Sequence, residues 1–362
     1  METQKSIGGK IMKLPGFSEK VAGLIGNIDP SELARVIIEH KERYIVQTET
    51  GVYQAEITGN IRFSARSRAD FPAVGDWVRI TPMDAQNAII LEVFPRYSSL
   101  SRQAVGKQAD IQFIASNIDV AFIVQSVGHD FNINRLERYL ALCYAGKIEP
   151  MILLTKVDLI SQTEIDSLTD LIRKRLPNVK MITISSENGT GYNILEETMQ
   201  PNVTYCFVGS SGVGKSTIIN HLSNEEKLQT AAISTSTQKG RHTTTHRELF
   251  VLDNGSIVID TPGMRELGMT DESSGIDLTY DQITELSDSC RYSDCTHTSE
   301  KRCAVLDAVE NGDLSEETYQ NYLKLKREQQ HFSSTIHEKR QKGKEFGKMI
   351  KAVLKEHKKN KY

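Results

Sequence analysis

The sequence has no apolar run long enough to cross a bilayer, few cysteines and little net charge. A membrane-spanning helix needs about 20 consecutive apolar residues, whereas the runs here, such as Ile118 to Val124, are strand-length. Lysines at 5, 10 and 13 are not followed by an apolar stretch of signal-peptide length. Five cysteines in 362 residues, three of them clustered at 290, 295 and 303, do not make a disulfide framework. Such usage suits a reducing compartment and a metal site. A cytoplasmic protein without a membrane partner is expected, and a monomer.

The small net charge of −3 hides an asymmetry. Between Lys339 and Tyr362 stand ten Lys or Arg against Glu345 and Glu356, a surplus of +8 that leaves −11 on the rest. One basic tail on an acidic body points to an anionic partner for the tail, with RNA phosphate favoured over a merely solvated helix. Hydrophobic content of 38% and charged content of 25% describe a soluble globular chain, and its length predicts two or three domains.

The stretch that organises the chain is Gly209-Ser210-Ser211-Gly212-Val213-Gly214-Lys215-Ser216, with Thr217 next. It matches the phosphate loop G-x-x-x-x-G-K-[ST] and sits where it must, between a buried strand (204–208) and a helix (217–222). The glycines let backbone N–H groups approach phosphate at a helix N-terminus, Lys215 reaches the β- and γ-phosphates, and the Ser216 hydroxyl ligates Mg²⁺. Upstream, a strand at 151–154 runs into Thr155-Lys156-Val157-Asp158, a guanine-specificity signature. Asp158 can accept from guanine N1–H and the 2-amino group, and the Lys156 stem can lie along the base. Ser185-Ser186, after a strand at 181–184, fits the companion loop whose backbone N–H groups meet guanine O6.

Downstream, Gly240-Arg241-His242-Thr243-Thr244-Thr245-His246 reads as a switch segment in which Thr244 completes the Mg²⁺ shell once a γ-phosphate is bound. A strand at 256–259 ends in Asp260-Thr261-Pro262-Gly263, where Asp260 holds the metal through water and the Gly263 N–H senses the γ-phosphate. The base motif therefore precedes the phosphate loop and the switches follow it, a circular permutation of the ordinary GTPase order. No glutamine follows Gly263 to orient water; Met264, Arg265 and Glu266 stand there instead. His242 is the in-chain candidate for that task, with an rRNA-contacting or solvated histidine as the rival. Lys215, Thr244 and His242 are the expected catalytic set.

Around this domain, short alternating strands are expected at 44–47, 52–57, 61–65, 77–80 and 88–93, a small OB-like β-barrel. Arg62, Arg66 and Arg68 near Phe63 hint at nucleic-acid contact, against a purely structural barrel. Before it, Pro30-Ser31 reads as a helix start with Ser31 as cap and Leu33, Val36 and Ile37 on one face. After position 105, strands at 118–125, 151–154 and 181–184 alternate with helices at 132–145 and 164–176, predicting a parallel sheet covered on both faces. Cys290-x4-Cys295-x-His297-x5-Cys303 has the donors of one tetrahedral Zn²⁺ with no position open to water, a structural site; an unmetallated loop is the alternative. Helices are expected at 281–286 and 314–330. The fold class is α/β: a circularly permuted P-loop GTPase domain (101–270) between an N-terminal OB-like β-barrel (39–100) and a C-terminal zinc-binding α-helical domain with a basic tail (271–362), preceded by an extension (1–38).

The permuted order, the barrel with Phe71-Pro-Ala-Val-Gly-Asp-Trp77, the Gly-Arg-His-Thr-Thr-Thr stretch and the Cys/His cluster together resemble the RsgA (YjeQ) family of ribosome small-subunit-dependent GTPases, over roughly residues 40 to 362. The resemblance implies a late maturation factor that binds the 30S subunit and its 16S rRNA near the decoding region, hydrolyses GTP to GDP, and then leaves. It also points to His242. Lys301-Arg302 stands where that family has a proline before the last cysteine. Two other readings of the residues remain: a non-catalytic guanine-nucleotide sensor docked on RNA, and a permuted GTPase of the large subunit, which the barrel and the cluster disfavour.

Overall fold

The computed structural model describes residues 6–7, 10–11, 13–40, 43–65, 67–103, 111–223, 247–260 and 274–333. Strand β1 (Ser6–Ile7) pairs with β2 (Lys10–Ile11), and helix α1 (Glu19–Ile25) starts at Ser18, whose hydroxyl accepts from the Val21 N–H. Leu14, Val21, Ile25 and Ile28 pack against Trp77 and Phe94, which fastens this stretch to the barrel that follows. The helix expected from Pro30 is a single 3-10 turn, Pro30–Glu32, capped by Asp29 rather than Ser31. The chain then extends into strand β3 (Leu33–His40). Val36, Ile37 and Ile38 are β-branched and favour extended backbone, and strand alternation sends Ala34 and Val36 into the barrel core while Leu33 faces the α1 cluster. Strand β3 thus crosses the boundary expected between 38 and 39.

Strands β4 (Arg43–Gln47), β5 (Val52–Ile57), β6 (Trp77–Pro82) and β7 (Asn87–Val93) complete the barrel. β3 pairs antiparallel with both β4 and β6, β4 with β5 and β6 with β7, while β5 runs parallel to β7. The ring β3-β4-β5-β7-β6 therefore closes on itself into an OB-like barrel, with β3 paired to β6 over Leu33–Arg35 only, so that the far end of β3 keeps one edge free of barrel strands. Residues 61–65, expected as a strand, lie in or just after helix α2 (Gly59–Ser64) instead, because Thr58 Oγ1 accepts from the Ile61 N–H at 3.3 Å and nucleates a turn. Ile61 packs on the barrel core and Phe63 is left 93% exposed.

An antiparallel hairpin, β8 (Ser99–Gln103) and β9 (Ile111–Ser116), leads to the second domain. There the chain runs β10 (Val120–Ser126), α3 (Ile133–Ala145), β11 (Glu149–Thr155), α4 (Gln162–Arg175), β12 (Lys180–Ile184), α5 (Tyr192–Thr198), β13 (Thr204–Val208), α6 (Lys215–Leu222), β14 (Arg247–Val251) and β15 (Ile257–Asp260). The strands lie in the order β12-β11-β10-β13-β15-β14, parallel except for β14. Alternation divides the sheet cleanly. Ala121, Ile123, Ile152 and Val208 face one helical layer, and Phe122, Val124, Leu153 and Phe207 the other. The phosphate-loop strand β13 enters the sheet fourth in sequence yet lies at its centre, which is the permuted GTPase arrangement.

The two domains share backbone pairing. β14 pairs antiparallel with β3 through Arg247 with Glu39 and Glu248 with Ile38, and the Arg247 guanidinium meets the Glu39 carboxylate at 3.1 Å. Deeper in this junction the buried Arg35 donates to Thr204 Oγ1 (3.0 Å) and to the carbonyls of Pro15 (3.1 Å), Asn117 (3.2 Å) and Gly75 (3.4 Å). Its guanidinium also lies 5.2 Å from the Trp77 ring.

Helices α7 (Ser274–Thr279), α8 (Asp281–Ser287), α9 (Ala304–Asn311) and α10 (Glu316–Ser333) form the C-terminal region. Gly275 of α7 rests on the Ala141 carbonyl of α3, where a Cβ would collide. Beside it Glu137 of α3 is buried and accepts from Arg175 Nε (2.7 Å), the Tyr280 hydroxyl (3.1 Å) and Asn321 Nδ2. Burial pushes the Glu137 carboxyl up from its ordinary value, and the Arg175 charge works against that shift. Two further ion pairs, Arg138–Glu328 at 2.6 Å and Lys326–Asp277 at 2.7 Å, hold α10 to α3 and α7.

Candidate functional site

The carboxyl-terminal ends of the parallel strands β10, β11, β12, β13 and β15 open onto one edge of the sheet. In open α/β sheets ligands bind at such an edge. The phosphate loop leaves β13 there. Gly209 has φ 149° and its α-carbon lies against the Val124 carbonyl of β10, and Gly214 has φ 101° as the N-cap of α6. Side chains at either position would strain the turn, at Gly209 by collision and at Gly214 by its backbone angle. The loop folds around the Lys215 ammonium, which donates to the Gly209 carbonyl at 2.8 Å and to the Ser210 carbonyl at 2.5 Å. Ser216 and Thr217 follow in the first turn of α6, with Ser216 partly covered and Thr217 exposed. Tyr139 of α3 hydrogen-bonds Ser210; burial raises the phenol above its ordinary value and this bond works against the rise.

The base motif arrives from β11, two strands away. Thr155 Oγ1 donates to the Val213 carbonyl at 2.7 Å, fixing the end of β11 to the middle of the phosphate loop. Lys156 then adopts φ 59° and ψ 34°, a left-handed step that turns the chain into the 3-10 turn Val157–Leu159 and leaves Asp158 exposed to the edge. The Ser185 hydroxyl, fully buried after β12, donates to Asp158 Oδ1 at 2.5 Å. The same hydroxyl accepts from the Glu187 N–H at 3.2 Å and the Asn188 N–H at 3.4 Å, so one serine shapes its loop and orients the carboxylate. Ser186, next along, shares a 2.8 Å hydrogen bond with the Tyr192 hydroxyl. Asp260 ends β15, the strand beside β13, at this same edge.

Residues 155–158, 185–186, 209–217 and 260 are thus gathered on one edge of the sheet. His242, Thr244 and Gly263 lie outside the described residues, as does the basic tail from Lys339. Two residues in the site carried no sequence signal. Tyr139 reads as an ordinary apolar helix position, and Tyr192 stands in a stretch to which the sequence assigns no element.

The Cys/His cluster lies between α8 and α9. Its four donor atoms, the thiols of Cys290, Cys295 and Cys303 and an imidazole nitrogen of His297, all fall within 4.8 Å of one another. Cys290 and Cys303 sulfurs are 3.8 Å apart, and His297 Nδ1 is 3.6 Å from the first and 3.4 Å from the second. Four donors at about 2.0–2.3 Å from a tetrahedral centre would be separated by roughly 3.5–3.8 Å, so the cluster has the size of a metal cage. The backbone is bent to make it: His297 has φ 58° and Arg302 φ 61°. A proline, locked near −65°, could not stand at 302 in this conformation. Nδ1 faces the sulfurs, Ser287 Oγ meets the other ring nitrogen at 3.0 Å, and the Tyr319 hydroxyl donates to the His297 carbonyl at 2.6 Å. These outer contacts orient the imidazole, as metal-ligating histidines require.

Known proteins resemble this chain over most of its length. The profile of the family described as RsgA GTPase matches residues 93–270. A protein of Bacteroides thetaiotaomicron, Small ribosomal subunit biogenesis GTPase RsgA 1, is 43% identical over 89% of this chain and 90% of its own length. A protein of the same name in Oceanobacillus iheyensis is 40% identical over 88% of this chain and 91% of its own. Among solved structures, YjeQ from Thermotoga maritima is similar with a TM-score of 0.61 at 25% identity, covering 82% of this chain and 98% of its own. YloQ, described as a circularly permuted GTPase, is similar with a TM-score of 0.60 at 26% identity, covering 84% and 96%.

Proposed function

The chain belongs to the RsgA GTPase family, and we propose that its sheet-edge site binds GTP and hydrolyses it to GDP and phosphate during maturation of the small ribosomal subunit. The observation that carries this reading is the joining of the base motif to the phosphate loop through Thr155 and Val213, at 2.7 Å. One hydrogen bond sets the distance between the groups that read guanine and those that hold phosphate. Asp158, oriented by Ser185, accepts from the guanine N1–H and 2-amino groups, and Lys156 covers the base. Backbone N–H groups from Ser210 to Thr217 hold the phosphates, together with the Lys215 ammonium once it turns from the loop carbonyls.

Ser216, Asp260 and Thr244 are the residues that would hold Mg²⁺. Bound there, the ion would neutralise charge on the β- and γ-phosphate oxygens. His242 orients the attacking water, since Met264 stands where an amide would serve, and the Gly263 N–H senses the γ-phosphate. Cys290, Cys295, His297 and Cys303 would hold Zn²⁺, the ion that fits three thiolates and one imidazole, and bound there it would brace α8 against α9. The 30S subunit and its 16S rRNA are the partner, met by the basic tail and by the stretch after β5 that carries Arg62, Arg66, Arg68 and the exposed Phe63. Among the described residues no helix is long and apolar enough to cross a membrane.

The test is phosphate release under multiple turnover with purified small and large subunits supplied separately. Small subunits should accelerate release strongly and large subunits should not. Removing residues 339–362 should weaken that stimulation and flatten its salt dependence, about 10²-fold in affinity between 50 and 200 mM if roughly five phosphates are contacted. His242→Ala should keep subunit binding and lose stimulated turnover. GTP binding without accelerated release on either subunit would make the chain a guanine-nucleotide sensor instead.

A further inference from the structure

The guanine-side loop is tied to the phosphate-loop helix by a second connection that the catalytic reading does not use. Tyr192, the first residue of α5, is buried. Its hydroxyl shares a 2.8 Å hydrogen bond with Ser186 Oγ, and its ring stacks on His221 with centroids 3.8 Å apart and planes inclined by 38°. His221 belongs to the last turn of α6, the helix that starts at Lys215. Gly191, just before Tyr192, has φ 80° and lies against the Thr183 carbonyl of β12, so the loop returns to the sheet at a fixed point. The start of the loop 185–190 is thereby held twice, by Ser185 on Asp158 and by Tyr192 through Ser186. Between these anchors the Ser186 N–H makes no backbone hydrogen bond among the described residues. It is the donor best placed in sequence for the guanine 6-keto oxygen.

We propose that Tyr192 is a positioning residue for guanine recognition: by holding Ser186 it sets the N–H that meets O6, with His221 fixing the tyrosine ring from the phosphate-loop helix. The inference rests on the reading of 185–186 as the guanine loop. Phenylalanine at 192 would keep the ring stack and remove only the hydroxyl. What is lost is the orientation of one backbone donor, so the effect falls on bases that carry a good acceptor at position 6. A hydrogen bond of this kind corresponds to about threefold to tenfold in affinity.

The experiment measures dissociation constants of GDP, IDP and 6-thio-GDP for the full chain and for Tyr192→Phe. GDP and IDP carry the 6-keto group; 6-thio-GDP keeps the N1–H and 2-amino groups but offers sulfur, a weak acceptor. Tyr192→Phe should weaken GDP and IDP by about threefold to tenfold and leave 6-thio-GDP nearly unchanged, so that the preference for oxygen over sulfur at position 6 shrinks. Ser186→Ala should do the same, and the double variant should add nothing further, because both single changes remove one shared bond. His221→Ala should shift the preference in the same direction by a smaller factor. Equal weakening of all three nucleotides, or no weakening of GDP, would overturn the role of Tyr192. Wild-type binding of 6-thio-GDP as tight as GDP would overturn the guanine-loop reading itself, and the proposal with it.

Discussion

Replacing Arg35 with methionine should loosen the union of barrel and GTPase domain more than any other single change at that junction. The guanidinium is 2% exposed and donates to four acceptors in separate parts of the chain: Pro15, Gly75, Asn117 and Thr204. Burial lowers its pKa from the ordinary value, with Tyr97, Asp119 and Asp76 acting in the opposite direction. Methionine fills most of the same volume, so the loss is polar. Hydrogen bonds to a charged donor contribute about 1.5–3 kcal/mol each, but the desolvation of the cation offsets much of their sum. The acceptors it leaves are neutral, three carbonyls and a hydroxyl, and each one buried without a donor costs about 1–3 kcal/mol, so a net loss of about 3 kcal/mol is expected. The chain's single tryptophan, Trp77, lies 5.2 Å from this guanidinium and reports on it directly. With a urea slope of about 3 kcal/mol per molar, the fluorescence midpoint should fall by roughly 1 M or more. Lysine in place of Arg35 should recover little, because an ammonium cannot span the same fork of acceptors. An unchanged midpoint in Arg35→Met, or full recovery with lysine, would refute the assignment of the junction's stability to these contacts.

Two further changes probe the nucleotide and metal sites. Asp158→Asn should shift preference from guanine toward xanthine nucleotides, since the amide donates where the carboxylate accepted; discrimination built on such buried pairing can reach ~10⁴-fold, and wild-type protein that bound ATP as tightly as GTP would contradict it. Elemental analysis of freshly purified protein should find one zinc per chain. Cys295→Ala should lose that metal and the order of residues 281–311 while keeping nucleotide affinity, because metal binding of this type supplies on the order of 10 kcal/mol of folding free energy; a metal-free chain with an intact C-terminal region would exclude the brace.

The parts legible in the sequence are those whose chemistry is local. The phosphate loop, the Thr155-to-Asp158 signature and the Cys/His cluster each need their residues at fixed short spacing, and the structure brings the described members of each together as spaced. Strand β3 was hidden because Leu33, Val36 and Ile37 fit a helical face as well as a strand; what decides is pairing with β6 and β14, residues far along the chain. The run at 61–65 reads as a strand by apolar content, yet Thr58 and Gly59 start a helix that a five-residue window does not include. The strand β14 and the helices α5, α7 and α9 span only five to eight residues each, too short to set a period. Arg35 and Glu137 were invisible for another reason. Each is one charged residue in an apolar stretch, and its partners stand up to 169 and 184 residues away.

The pairing of β3 with β14 sets a timetable for synthesis. Glu39 and Arg247 are 208 residues apart in the chain, and at roughly 5–20 residues per second the second follows the first out of the ribosome by about 10–40 s. The barrel can close within itself long before that, since β3 to β7 are made together. Until β14 emerges, however, the Ile38–Glu39 stretch of β3 offers open backbone donors and acceptors to any passing strand, as an unpaired edge does. Its neighbours are charged or ionisable, Glu39 and His40 on β3 itself and Arg43 at the start of β4, and such side chains discourage pairing with another chain. The GTPase sheet completes itself by docking its last-made edge onto the first-made domain, so a nascent chain arrested before residue 247 carries a finished barrel with a strand edge still waiting for its partner.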